Sequence, residues 1–119
     1  MSGAYLEILQ GDDYTFSTNV SVDGVAQNVA GATIWFLAKE FPDTDANSEA
    51  VINASTTSGQ IAISGSNSNV ITMTLNANVT ANLSQANLLF WALKCQTSAN
   101  LRYTLDRGRC AVVYPVILP

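Results

Sequence analysis

The sequence predicts an all-β protein, an antiparallel sandwich of two sheets. Three observations carry that prediction. Short runs of β-branched and aromatic residues recur about every ten positions. The segments between them are built from Gly, Asp, Asn and Ser, which supply turn geometry. Only residues 77–83 hold a helical turn, too short to change the class.

The densest run, Gly-Ala-Thr-Ile-Trp-Phe-Leu-Ala-Lys at residues 31–39, reads as the central strand. Thr33, Ile34, Trp35 and Phe36 lose rotamer freedom in a helix and pack well on a pleated surface. Period 2 puts Ile34, Phe36 and Ala38 on one face and Trp35, Leu37 and Lys39 on the other. Both faces are largely apolar, so the strand is expected to be covered twice: by a second sheet, and by a loop or another subunit.

The remaining elements follow in order. Residues 4–10 form a first strand, turned by Gly11-Asp12-Asp13, and Tyr14, Phe16, Thr18, Val20 and Val22 alternate with polar neighbours in a second. Asp23-Gly24 is a hairpin signal, with residues 25–29 returning to the central strand. Residues 41–48 read as a loop. Strands are expected around Ala50, Val51 and Ile52, at Ile61 and Ile63, and over residues 70–75, separated by Thr56-Thr57-Ser58-Gly59 and by the polar turn 64–69. Asn78 or Thr80 is the expected cap of the helical turn. Residues 87–96, apolar on both faces, are the natural partner of the central strand. Residues 102–105 form a shorter strand ended by Asp106-Arg107-Gly108, and a last run from Cys110 to Leu118 contains Pro115, which marks a sheet edge or exit.

Composition narrows the function. The 119 residues are 48% hydrophobic, enough for one domain with a single core. Charged residues make up 12%, about half the usual share. The net charge of -4 argues against a nucleic-acid partner, which requires clustered cations. Of the five basic residues, Arg102, Arg107 and Arg109 lie close together and read as a solvated turn. No apolar run is long enough for a membrane span. No basic and then apolar leader opens the chain, so it is expected to be made in a cytoplasm and to stay there unless carried out.

Chemistry-bearing constellations are sparse. The chain has no histidine, which removes Ser-His-Asp and Cys-His arrangements, and no catalytic residue or cofactor is expected. Asp12-Asp13 reads as a structural turn. Asp43, Asp45, Asn47 and Glu49 alternate like the start of a calcium loop, but Ser48 stands where glycine is wanted and Ala54 where the bidentate Glu belongs, so an ordinary acidic loop is the expected reading. Cys95 and Cys110 fall in apolar strands and read as small buried hydrophobes rather than a disulfide.

Two further features point to assembly. The strands carry few of the lysines and inward charges that normally guard sheet edges. The chain also finishes apolar, and Tyr114, Val116, Ile117 and Leu118 either close the core or dock on a neighbour; they are the candidate interface residues.

Several segments carry a family resemblance. Gln10-Gly-Asp-Asp-Tyr-Thr-Phe, Asp23-Gly24 and residues 29–39, then Thr57-Ser-Gly-Gln-Ile, residues 70–75, Asn78-Val-Thr-Ala-Asn-Leu83 and residues 104–113 resemble small immunoglobulin-like structural domains of tailed bacteriophages. The likeness covers nearly the whole chain and is closest to the N-terminal domain of baseplate upper proteins. It departs at Asn87, where the family usually has glycine. The resemblance implies an immunoglobulin-like sandwich that docks other virion proteins: a baseplate, tail or neck adaptor, or a capsid decoration protein, located in the virion and assembled as a homo-oligomer. No fibre or receptor-binding region follows Pro119, so the expected product is a stand-alone virion component. The competing class is a carbohydrate- or cell-surface-binding module, which an exposed Trp35 or Trp91 would favour; both are expected in core strands.

Overall fold

The structure, a computed structural model, describes residues 5–40, 50–83 and 86–113. Ten strands and one short helix follow the order β1 (Tyr5–Leu9), β2 (Tyr14–Asn19), β3 (Ser21–Val22), β4 (Val25–Ala26), β5 (Thr33–Lys39), β6 (Ile52–Ser55), β7 (Ile61–Ser64), β8 (Val70–Leu75), α1 (Ala77–Ala81), β9 (Ala86–Gln96) and β10 (Arg102–Val113). They build a five-stranded sheet, β1-β10-β9-β5-β6, facing a three-stranded sheet, β2-β8-β7, with β3 and β4 as a separate ribbon. The chain crosses between the two sheets after β1, after β2 by way of the ribbon, after β6 and after β8, while β5–β6, β7–β8 and β9–β10 pair within a sheet, and this strand order is that of an immunoglobulin-like sandwich.

One pairing breaks the antiparallel rule. β1 runs parallel to β10, with Leu6 opposite Cys110 and Ile8 opposite Val112. This long-range pairing seals one side of the larger sheet with the first strand of the chain. β5 lies between β9 and β6, antiparallel to both, as its two apolar faces suggest.

The core forms where alternating inward residues of both sheets meet. Ile34, Phe36 and Ala38 from β5, Leu89, Trp91 and Leu93 from β9, and Ile71, Met73 and Leu75 from β8 are all buried in one cluster. At its centre the Phe36 and Trp91 rings stack at 5.4 Å with 15° between planes. Phe16 from β2 meets Trp91 edge-on at 5.4 Å and Phe36 at 6.0 Å, tying the second sheet to the first. Gly108 stands directly across from Trp91 in the ladder, so no side chain competes there for the room the indole fills.

Four local expectations are corrected. First, Arg102–Val113 is one strand rather than two. An extra residue, Leu105, bulges between Thr104, opposite Lys94, and Asp106, opposite Leu93; the Asp106 carboxylate accepts the Arg107 N–H at 2.8 Å. The sequence that looked like a turn is therefore carried through the sheet by a bulge. Second, the helix cap is Asn76, whose side chain accepts the Val79 N–H at 3.0 Å. Asn78 lies inside the helix, and Thr80 is buried with another task, described below. Third, β6 runs over Ile52–Ser55, so Ile52 of the expected run lies in the strand while Ala50 and Val51 precede it. Fourth, β2 ends at Asn19, and Ser21 and Val22 leave it to pair in the ribbon with Ala26 and Val25. Asp23 and Gly24 turn that ribbon at φ 52° and 79°, the left-handed pair that a two-residue hairpin demands.

Candidate interaction surface

The outer face of the five-stranded sheet is built by alternation, which β10 interrupts where its register against β9 shifts. In β9, Leu89, Trp91, Leu93 and Cys95 point into the core, so Phe90, Ala92, Lys94 and Gln96 point out. Ladder register then lines up transverse rows across neighbouring strands, where directly opposed side chains are close enough to touch. One row reads Lys39, Phe90, Arg109, Tyr5. The next reads Asn53, Leu37, Ala92, Arg107, and the one after it Ser55, Trp35, Lys94, Thr104. Gln96 continues the face between Thr33 and Arg102.

Two properties follow. The middle of the face is apolar: Leu37 is buried, Trp35, Phe90 and Ala92 are half-buried, and Tyr5 stands out at 60% exposure. The face also collects all five cations of the chain, with Lys94, Arg102, Arg107 and Arg109 exposed and Lys39 half-buried. Among the described residues its only carboxylate is Glu7 of β1, opposite Ala111 of β10.

The outer face of the small sheet is its opposite in character. Thr15 faces Thr74, and Ser17 faces Thr72, their hydroxyls 3.2 Å apart. Strands β2, β7 and β8 contain no charged residue. Positive charge is thus gathered on one side of the sandwich, although the chain as a whole carries a net charge of -4.

Among the described residues, the acids other than Glu7 sit elsewhere. Asp12 and Asp13 are exposed in the turn from β1 to β2, Asp23 at the tip of the ribbon and Glu40 just past β5, while Asp106 is buried. The Asp12-Asp13 turn is held rigidly against α1. The Thr80 hydroxyl donates to the Asp12 carbonyl at 2.7 Å and accepts the Gly11 N–H at 3.0 Å. An Asp13 carboxylate oxygen accepts the Ala77 N–H at 2.7 Å, and the Gln10 amide donates to the Leu83 carbonyl.

The candidate residues named from sequence fall as follows. Tyr114, Val116, Ile117 and Leu118 lie outside the described residues, as do Asp43, Asp45, Asn47 and Glu49. Among the described residues, no three His, Cys, Asp or Glu side chains gather to hold a metal. Cys95 and Cys110 are both buried free thiols. Cys95 faces Tyr103 while Cys110 faces Leu89, about six residues or roughly 20 Å along the sheet, so they do not approach bonding distance. Burial pushes both thiols up, Cys110 to about 11, which keeps them from acting as thiolate nucleophiles at neutral pH. Of the tryptophans, Trp91 is core, whereas Trp35 belongs to the outer face.

The cationic face was missed from sequence for one reason. Reading Asp106-Arg107-Gly108 as a turn hid the fact that Arg107 and Arg109 are two apart on one strand and share a side with Lys94 and Lys39. The usable signal was the parity of Lys39, Lys94, Arg107 and Arg109 within their runs.

No protein-family model matches this chain, and no curated protein sequence matches it. The class that the fold and surface define is an immunoglobulin-like β-sandwich with an apolar, cation-bearing sheet face.

Proposed function

We propose that this domain is a non-catalytic assembly module that works through protein–protein contacts, and that it serves as a structural component of a tailed-phage virion: a baseplate, tail or neck adaptor, or a capsid decoration protein. The observation that supports contact over chemistry is the outer face of the five-stranded sheet. Half-buried Trp35 and Phe90 and buried Leu37 stand on the side away from the core, an arrangement that suits a partner laid over the sheet. The edge strands add to it. β1, β2, β6 and β7, the edge strands among the described residues, contain no lysine, arginine or proline and so lack these guards against pairing. The virion setting rests on the family resemblance of residues 10–113.

Trp35 also favours a second reading, a glycan-binding module, because an accessible indole beside Lys94 and Ser55 offers a sugar a stacking surface with polar neighbours. Light scattering of the purified chain, alone and co-expressed with the proteins encoded beside it, separates the two. A defined oligomer or a stable heteromeric complex supports assembly. A monomer that ignores those proteins and binds immobilised glycans through Trp35 overturns it.

A further inference from the structure

Resting on the assembly reading, we propose that the outer face of the five-stranded sheet is the socket of a head-to-tail contact whose occupant is the Asp12-Asp13 turn of a second copy of this chain. The face excludes its own image. Stacking two such faces about a two-fold axis would bring Lys94, Arg102, Arg107 and Arg109 of each copy against those of the other, with Glu7 as the only described carboxylate to offset them. Like charges brought together in an interface oppose association.

The complement is present elsewhere on the same molecule. Asp12 and Asp13 are consecutive exposed acids in the turn that follows Leu9, an apolar residue at 37% exposure, and the Asp13 carboxylate accepts the Ala77 N–H. An acidic turn with an apolar neighbour matches a cationic face with an apolar centre. The turn is also pre-organised, since Thr80, Ala77 and Leu83 each hydrogen-bond to it and little ordering remains to be done on docking. Asp23 is the weaker candidate, a single carboxylate at the tip of a ribbon of two-residue strands. A face-to-turn contact is heterologous, so repeating it closes a ring or extends a stack.

The test is sedimentation of the full chain over a range of concentrations at low and high salt, with two variants. Arg107→Gln/Arg109→Gln empties the socket. Asp12→Asn/Asp13→Asn neutralises the plug while leaving an oxygen to accept the Ala77 N–H, so the fold is kept, which circular dichroism checks. The expected result is self-association that weakens about tenfold or more in high salt and in each variant. Mixing the two variants is expected to give a one-to-one dimer and nothing larger, because each retains the half of the contact that the other lacks. Association indifferent to both variants and to salt would overturn the socket while leaving the assembly reading in place. A chain monomeric at every concentration, variants that do not pair on mixing, or tighter binding of oligo(dT) or heparin fragments than of a second copy would also overturn it.

Discussion

The Thr80 hydroxyl donates to the main-chain carbonyl of Asp12 at 2.7 Å, across 68 residues of sequence, from a side chain with no solvent exposure. The same oxygen accepts the Gly11 N–H, so one buried hydroxyl satisfies both a donor and an acceptor of the turn. Thr80→Val keeps the shape and removes both bonds, leaving two backbone groups without partners. It is expected to destabilise the fold by about 2–3 kcal/mol, read as a lower urea midpoint, with Thr80→Ser close to wild type.

Trp91 sits at the junction of three aromatic rings, one of them from the opposite sheet. Trp91→Ala opens a cavity there and is expected to cost about 3–5 kcal/mol. The two tryptophans should separate by fluorescence. Trp35→Phe is expected to leave a blue-shifted emission resistant to acrylamide, because Trp91 is 1% exposed. An accessible indole in that variant would contradict the core assignment.

Cys110 makes stability depend on alkaline pH. Burial pushes its thiol from an ordinary 9.0 to about 11. Between those values the unfolded chain releases the proton and the folded chain keeps it, so rising pH favours unfolding. The contribution is intact below pH 9.0 and is lost as pH rises toward about 11. Tyr14 acts in the same direction, raised by burial and then by Cys110 beside it. The urea midpoint is expected to fall between pH 8 and pH 10.5, and to fall less in Cys110→Ala.

Gly24 and Gly65 both hold left-handed backbone, at φ 79° and 91°. A Cβ on Gly24 meets open space, whereas one on Gly65 would lie 2.9 Å from a Val70 methyl. Gly24→Ala is therefore expected to cost about 1 kcal/mol from strain alone, and Gly65→Ala clearly more. Equal thermal midpoints for the two variants would show that the Val70 contact yields freely.

What was legible in the sequence was what local pattern determines. The period-2 alternation of residues 70–75 and the apolar block at 31–39 gave β8 and β5, and Asp23-Gly24 gave its hairpin turn, because each depends on residues a few positions apart. What was not legible depends on contacts made from afar. Leu105 bulges because β9 holds the register on both sides of it, so β10 read as two strands. The helix starts at Ala77, so Asn76 caps it, and Thr80 lies inside it with its hydroxyl bonded to Gly11 and Asp12 from far along the chain. The parallel seating of β1 on β10 joins residues about a hundred apart and leaves no local trace. The charged face disappeared from view with the broken strand, since its rows exist only once β10 is continuous.

Hydroxyl-radical footprinting of the chain across its association range tests the central claim most directly, because it reads side-chain access residue by residue. The account predicts that Trp35, Phe90 and Tyr5 lose reactivity as the chain associates, while Val25, exposed on the β3–β4 ribbon, keeps its own. Unchanged reactivity of Trp35 and Tyr5 throughout that range, or protection confined to the threonine-rich face of the small sheet, would contradict it.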